Sequence, residues 1–209
     1  MKLLQRKIDK ILRDWKQTEN KMPLIVKGAR QIGKTASIMQ FATENYKNVI
    51  AINFVLQKKF KAIFDDSYEV EDIVRNITLI DPSLNFEAGN TLIFFDELQD
   101  CPACATSLKA FCIDGRYDVI CSCSLMGINY REIESNSVGY KQDYTMHSMD
   151  FEEFLWAKGY DHSFIEHLYS KMCSTTPLSN LEMETLGEIF REYMTIGGMP
   201  AVVNSFINL

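Results

Sequence analysis

Gly28-Ala29-Arg30-Gln31-Ile32-Gly33-Lys34-Thr35 fits the pattern G-x-x-x-x-G-K-[ST] at every fixed position. Leu24-Ile25-Val26, just before it, reads as a buried strand, and Ala36-Ser37-Ile38-Met39-Gln40-Phe41, just after, as the opening of a helix. Strand, loop and helix in that order are the context a phosphate-binding loop needs. A Gly-rich turn alone would not require Lys-Thr after its second Gly. The two glycines let the backbone wrap closely around an oxyanion. The N–H groups of residues 29–35 then point inward, and the helix that begins near Lys34 directs its positive dipole end to the same place. Gly28, Ala29, Arg30, Gln31, Ile32, Gly33, Lys34, Thr35 and Ala36 are therefore the expected nucleotide-binding residues. Lys34 is expected to meet the β- and γ-phosphates, and the Thr35 hydroxyl a magnesium ion.

A second stretch supports the first. Thr91-Leu92-Ile93-Phe94-Phe95-Asp96-Glu97 is an apolar strand ending in two carboxylates. Four consecutive apolar residues predict burial on both faces, as in a parallel sheet. Ligands bind at the carboxyl ends of such strands. Asp96 is thus the second expected magnesium ligand, and Glu97 the residue expected to orient or deprotonate the attacking water. A surface Asp-Glu turn after a core strand is the plainer reading; pairing with the loop at 28–35 weighs against it. No Asn-Lys-x-Asp base-reading motif occurs, which favours ATP over GTP.

The 209 residues suffice for one α/β domain and a small appendage, at 46% hydrophobic and 24% charged residues. The net charge of −6 comes without a Lys/Arg block or basic tail, so composition does not point to nucleic acid. No apolar run approaches the ~20 residues of a membrane span, and the first residues lack the apolar core of a signal peptide. The cytoplasm is the expected compartment. Cys101-Pro102-Ala103-Cys104 is a C-x-x-C without a second such pair or paired histidines at zinc spacing. Cys121 and Cys123 are expected to point apart across a strand, so reduced, buried thiols are the expectation.

Outward from these motifs the period alternates between helix and strand. Residues 3–15 read as an amphipathic helix carrying Leu3, Leu4, Ile8, Ile11, Leu12 and Trp15. Strands are predicted near 24–28, 48–54, 91–96, 117–123 and 142–148, and helices near 34–45, within 58–80, and over 103–113 and 151–158, the last with Asp150 as N-cap. From 161 onward the pattern is helical, interrupted at Thr176-Pro177-Leu178-Ser179 and Gly197-Gly198-Met199-Pro200. Alternating strands and helices predict an α/β fold, a mostly parallel sheet covered on both faces.

The phosphate-loop residues, Phe95-Asp96-Glu97-Leu98-Gln99, Tyr117-Asp118-Val119-Ile120, Asp150-Phe151-Glu152-Glu153-Phe154-Leu155 and Ile196-Gly197-Gly198-Met199-Pro200 occur in a characteristic order and spacing. In these the chain from Gln5 onward resembles a bacterial and archaeal group within the AAA+ ATPases, where a P-loop ATPase core precedes a C-terminal domain of unknown function. The resemblance implies a P-loop NTPase three-layer αβα sandwich with strand order 5-1-4-3-2, followed by a partial helical lid. It implies a core over 1–158 and a helical segment over 159–209 that looks truncated. The end of strand 4 then faces the γ-phosphate; the family's Ser-Gly-Ser is Ser122-Cys123-Ser124 here, with Ser124 or Ser122 as the polar sensor. Arg131 is the implied finger donated across a subunit interface, Lys141 a weaker alternative, and Arg191 the implied lid arginine. The cofactors implied are ATP and Mg2+, and the partners a homo-oligomer and an unknown protein or nucleic acid. Two activities remain open: ATP hydrolysis coupled to a partner, or an ATP-binding switch with negligible hydrolysis.

Overall fold

The structure, a computed structural model, describes residues 3–124 and 138–208. The chain runs α1 (Lys7–Gln17), β1 (Leu24–Gly28), α2 (Lys34–Asn45) and β2 (Asn48–Asn53), then a 3-10 turn (Lys58–Phe64), α3 (Val70–Ile80) and β3 (Thr91–Asp96). A second short 3-10 turn (Leu98–Asp100) leads into α4 (Pro102–Asp114), β4 (Asp118–Ser124) and β5 (Gln142–Thr145). Four helices close the chain: α5 (Phe151–Ala157), α6 (His162–Cys173), α7 (Asn180–Ile196) and α8 (Pro200–Ile207).

The five strands form one parallel sheet in the order β2-β3-β4-β1-β5, the expected order read from the other edge. Its register brings the strand ends together: Gly28 aligns with Ser124, and Asn53 with Asp96. Alternate strand residues serve the two faces. Ile25, Ile93, Phe95, Val119, Cys121 and Cys123 pack towards α3 and α4. Leu24, Val26, Leu92, Phe94 and Ile120 pack towards α1 and α2. Because both faces are covered, β1 and β3 are buried at every position, which explains their unbroken apolar runs. Phe95 stacks on Phe54 with ring centroids 5.6 Å apart and meets Phe64 and Phe111 edge-on.

Three expectations need correction. Cys121 and Cys123 do not point apart; residues two apart on a strand share a face, and both thiols lie in the α4-side core. Helix α1 begins at Lys7, not residue 3. The Asp9 carboxylate accepts the Arg6 N–H at 2.8 Å and fixes the start there, so Leu3 and Leu4 precede the helix. Strand β5 ends at Thr145 rather than 148. Met146 N–H still donates to the Lys27 carbonyl at 2.7 Å, but residues 147–150 then leave the sheet as a strap.

The strap holds the last four helices. Met149, Phe154, Leu155, Ile165, Ile189 and Val203 form a third apolar cluster, so α5 packs with α6–α8. Asp150 caps α5 as expected, accepting the Glu153 N–H at 2.9 Å. Two motifs distant in sequence meet here. Met149 N–H donates to the Gly198 carbonyl at 2.8 Å, and the Tyr193 hydroxyl donates to the Met149 carbonyl at 2.9 Å. A Cβ on Gly198 would lie 2.2 Å from the Met149 oxygen. Gly198→Ala is expected to cost about 1–3 kcal/mol by forcing backbone apart. Limited proteolysis checks it: cleavage within α6–α8 should accelerate, and an unchanged pattern would show that the contact does not hold these helices.

Candidate functional site

The site lies at the carboxyl ends of β1, β3 and β4, where the sheet register collects them. Residues Gly28–Thr35 turn from β1 into α2. Gly28 has φ +158° and its Cα faces the Met146 carbonyl; a Cβ there would lie 2.3 Å from that oxygen and 2.7 Å from Ile32 Cδ1. Only glycine allows that approach. Gln31 and Gly33 take left-handed backbone at φ +64° and +94°, while the Ile32 side chain between them is anchored in the α2-side core. Ala29, Arg30, Gln31, Thr35 and Ala36 remain exposed around this anchor.

Lys34 is buried beneath the loop. Its Nζ donates to the Gly28 carbonyl at 3.0 Å and the Ala29 carbonyl at 2.6 Å. Burial pushes the Lys34 pKa down, an effect opposed by the nearby carboxylates of Glu97 and Asp96. Thr35, the next residue, donates its hydroxyl to Asp96, with Oγ1 3.2 Å from Oδ1 and 3.3 Å from Oδ2. The first turn of α2 and the end of β3 are thereby brought together by two hard oxygen donors of the kind magnesium selects.

Asp96 is itself held on three sides. Besides Thr35, the Ser122 hydroxyl donates to Oδ1, and Asn53 Nδ2 donates to Oδ2 at 2.8 Å. Asn53 is in turn fixed by its own turn, its Oδ1 accepting the N–H groups of Val55 and Leu56 at 3.0 and 2.9 Å. Glu97 follows in left-handed backbone at φ +60°, its N–H 3.3 Å from Ser122 Oγ. A non-glycine residue at such an angle is a local strain. Of the two serines expected as sensor, Ser122 reaches Asp96 and Glu97 with its hydroxyl, whereas Ser124 meets this network through its backbone N–H, which donates to Gln99 Oε1 at 3.1 Å. Cys123 between them points into the α4-side core on ordinary strand backbone, so a glycine conformation is not needed there. Burial raises its thiol pKa to about 11.

A family model described as an AAA domain matches residues 20–155. The chain belongs to that family. No curated protein matches it. The AAA domain match covers the phosphate loop, the end of β3 and the end of β4, and it supports nucleotide binding at this site. Helix α1 and helices α6–α8 lie outside the matched residues.

Arg6, also outside them, is the largest feature that sequence reasoning missed. Its guanidinium donates to the Ile32 carbonyl at 2.7 Å and the His147 carbonyl at 2.8 Å. Its Nε faces Glu153 Oε1 at 3.1 Å as a buried ion pair, out of line for a hydrogen bond. Glu153 also accepts the Lys7 N–H at 2.6 Å. One buried side chain therefore ties the phosphate loop of the AAA domain to the strap and to α5. Arg6 also walls a cleft of about 230 Å³ beside the loop, together with Leu4, Gln31, Ala36, Pro200 and Asn204. A larger apolar groove of about 690 Å³ lies between α5, α6 and α7 and contains no phosphate-loop residue.

The remaining expected residues lie elsewhere. Arg131 is outside the described residues. Lys141 precedes β5, at the opposite end of the sheet from the loop, with a buried side chain 3.7 Å from Asp143. Arg191 is exposed on α7, beside Glu188, Glu192 and Phe206. Among the described residues no helix is long and apolar enough to cross a membrane.

Proposed function

We propose that the chain binds Mg·ATP at Gly28–Ala36 and hydrolyses it, in the cytoplasm and as part of an assembly whose partner is not named by the site. The observation that carries this reading is Thr35 Oγ1 lying within 3.3 Å of both Asp96 oxygens, beside Lys34 and the following Glu97. The residues fit the magnesium ion that ATP brings. Thr35 and Asp96 offer hydroxyl and carboxylate oxygen, and Asn53 and Ser122 fix the carboxylate so that it stays aimed at Thr35. Held by Thr35 and Asp96, the ion would supply positive charge against the charge developing on the phosphates.

The chain's own groups supply the rest. Lys34 leaves the Gly28 and Ala29 carbonyls and meets the phosphates, while the loop N–H groups and the start of α2 receive their oxygens. Glu97 orients the attacking water and accepts its proton. The cleft beside Leu4, Arg6 and Pro200 is apolar and adjoins the loop, which suits the purine base. The helical segment following residue 158 would then cover the base side of the nucleotide, with residues 1–158 as the core.

Glu97→Gln tests the reading. Phosphate release is expected to fall about 10²- to 10⁴-fold, with the Kd for Mg·ATP, by calorimetry, within a few-fold of wild type. Unchanged hydrolysis would remove Glu97 from the chemistry. A second reading, an ATP-holding switch with negligible hydrolysis, is favoured by one observation: Glu97 is already held by Gln99 Nε2. Wild-type protein that binds ATP without measurable release would establish it.

A further inference from the structure

The hydrolysis reading gives Gln99 no role, yet its side chain touches both Glu97 and the end of β4. It sits on the 3-10 turn that follows Glu97, and its side chain is buried. Its Nε2 donates to Glu97 Oε2, with a longer contact of 3.3 Å to Asp100 Oδ2. Its Oε1 accepts the Ser124 N–H at 3.1 Å. The amide thus spans from the carboxylate at the end of β3 to the backbone at the end of β4. The turn that carries it is rigid. Leu98 is wholly buried, Asp100 N–H donates to the Glu97 carbonyl at 2.9 Å, and Cys101 N–H to the Leu98 carbonyl at 3.0 Å.

Glutamine suits this span because it carries a donor and an acceptor on one planar group. A glutamate could keep the Ser124 contact but has no proton for Glu97. A leucine could fill the volume but would leave the Ser124 N–H without this acceptor. Without the amide, Glu97, at the end of a strained left-handed residue, would lose the group that fixes its carboxylate.

We propose that Gln99 is a positioning residue that locks Glu97 to the end of β4, so that the carboxylate and the Ser124 backbone act as one rigid unit against the reacting phosphate. This rests on the ATP-hydrolysis reading of the site. Pre-orientation of this kind serves the transition state rather than the bound substrate, so its loss should separate turnover from binding.

The test uses the full chain and the variants Gln99→Glu, Gln99→Leu and Glu97→Gln. Three quantities are measured: kcat and KM for Mg·ATP, Kd for Mg·ADP, and the gain in Mg·ADP affinity on adding aluminium fluoride, which mimics the transferring phosphoryl group. For Gln99→Glu we expect kcat to fall at least tenfold, KM and the Mg·ADP Kd to stay within threefold, and most of the aluminium fluoride gain to vanish. Gln99→Leu should behave alike. Gln99→Glu is nearly isosteric and carries the test alone if the leucine variant does not fold. Wild-type kcat and an undiminished fluoride gain in Gln99→Glu, with Glu97→Gln inactive, would overturn the role of Gln99 while leaving the hydrolysis reading standing. Equal losses in KM, Mg·ADP affinity and kcat would also overturn it, because Gln99 would then support the fold of the whole site. If Glu97→Gln turns over as fast as wild type, the hydrolysis reading itself fails and the Gln99 role falls with it.

Discussion

Arg6→Met should lower the stability of the fold by about 3–5 kcal/mol, because it leaves a buried carboxylate without its cation. Glu153 is only 4% exposed, and Arg6 itself only 5%. The carbonyls of Ile32 and His147 lose their donors in the same step. For a chain of this length the loss corresponds to a fall in melting midpoint of roughly 6–20 °C, measurable by calorimetry or circular dichroism. Arg6→Lys should recover only part of it. An ammonium keeps the charge but cannot present a planar fork to two carbonyls and a carboxylate. ATP affinity should fall alongside, since the Ile32 carbonyl fixes the middle of the phosphate loop. Arg6→Met melting within 1 °C of wild type, a margin set against the roughly 2–4 °C that each kcal/mol moves a domain this large, would show that Glu153 finds other partners.

Lys34→Ala is expected to remove Mg·ATP binding with little harm to the fold. The side chain is buried, yet its contacts are to two carbonyls of its own loop, so its structural contribution is small beside the role proposed for it towards phosphate. Truncating one member of a buried charge pair costs about 2–5 kcal/mol. At about 1.4 kcal/mol per tenfold, that is a loss of roughly 30- to 4,000-fold in affinity. Calorimetric titration with Mg·ATP reads it directly, and the melting midpoint without nucleotide serves as the control. Binding that survives within threefold would mean that the loop N–H groups alone hold the phosphates.

The sheet and the heart of the site were legible because their signals are local. Leu24–Gly28, Gly28–Thr35 and Thr91–Glu97 each carry pattern and chemistry within a few consecutive residues, and the parallel order follows from the alternation around them. What escaped is long in range. Arg6 meets Ile32, His147 and Glu153 across 26, 141 and 147 residues of chain, and nothing near Arg6 in sequence distinguishes it from the other cations of an amphipathic helix. Asn53 reads as the polar end of a strand until the register places it opposite Asp96. Choosing between Ser122 and Ser124 needed the register: both share the face of Ile120, but Phe95 pairs with Cys121, which sets Ser122 beside Asp96. Gln99 lay in plain view, but its two partners sit at the ends of different strands. The start of α1 and the end of β5 were misjudged because backbone hydrogen bonds outside the regular elements, to Asp9 and to Arg6, decide them.

Lys34 resting on the Gly28 and Ala29 carbonyls bears on which anions the loop will accept. The ammonium has two carbonyl dipoles to answer it, so an anion that takes the ammonium has to replace them. Inorganic phosphate or sulfate offers one anionic group for that exchange and has no base to place beside Leu4 and Pro200. A nucleoside triphosphate would offer a chain of them, with a base to place there. Under the proposed reading, those two hydrogen bonds set a threshold that a polyphosphate carrying its own cation and base is better placed to cross than a single oxyanion.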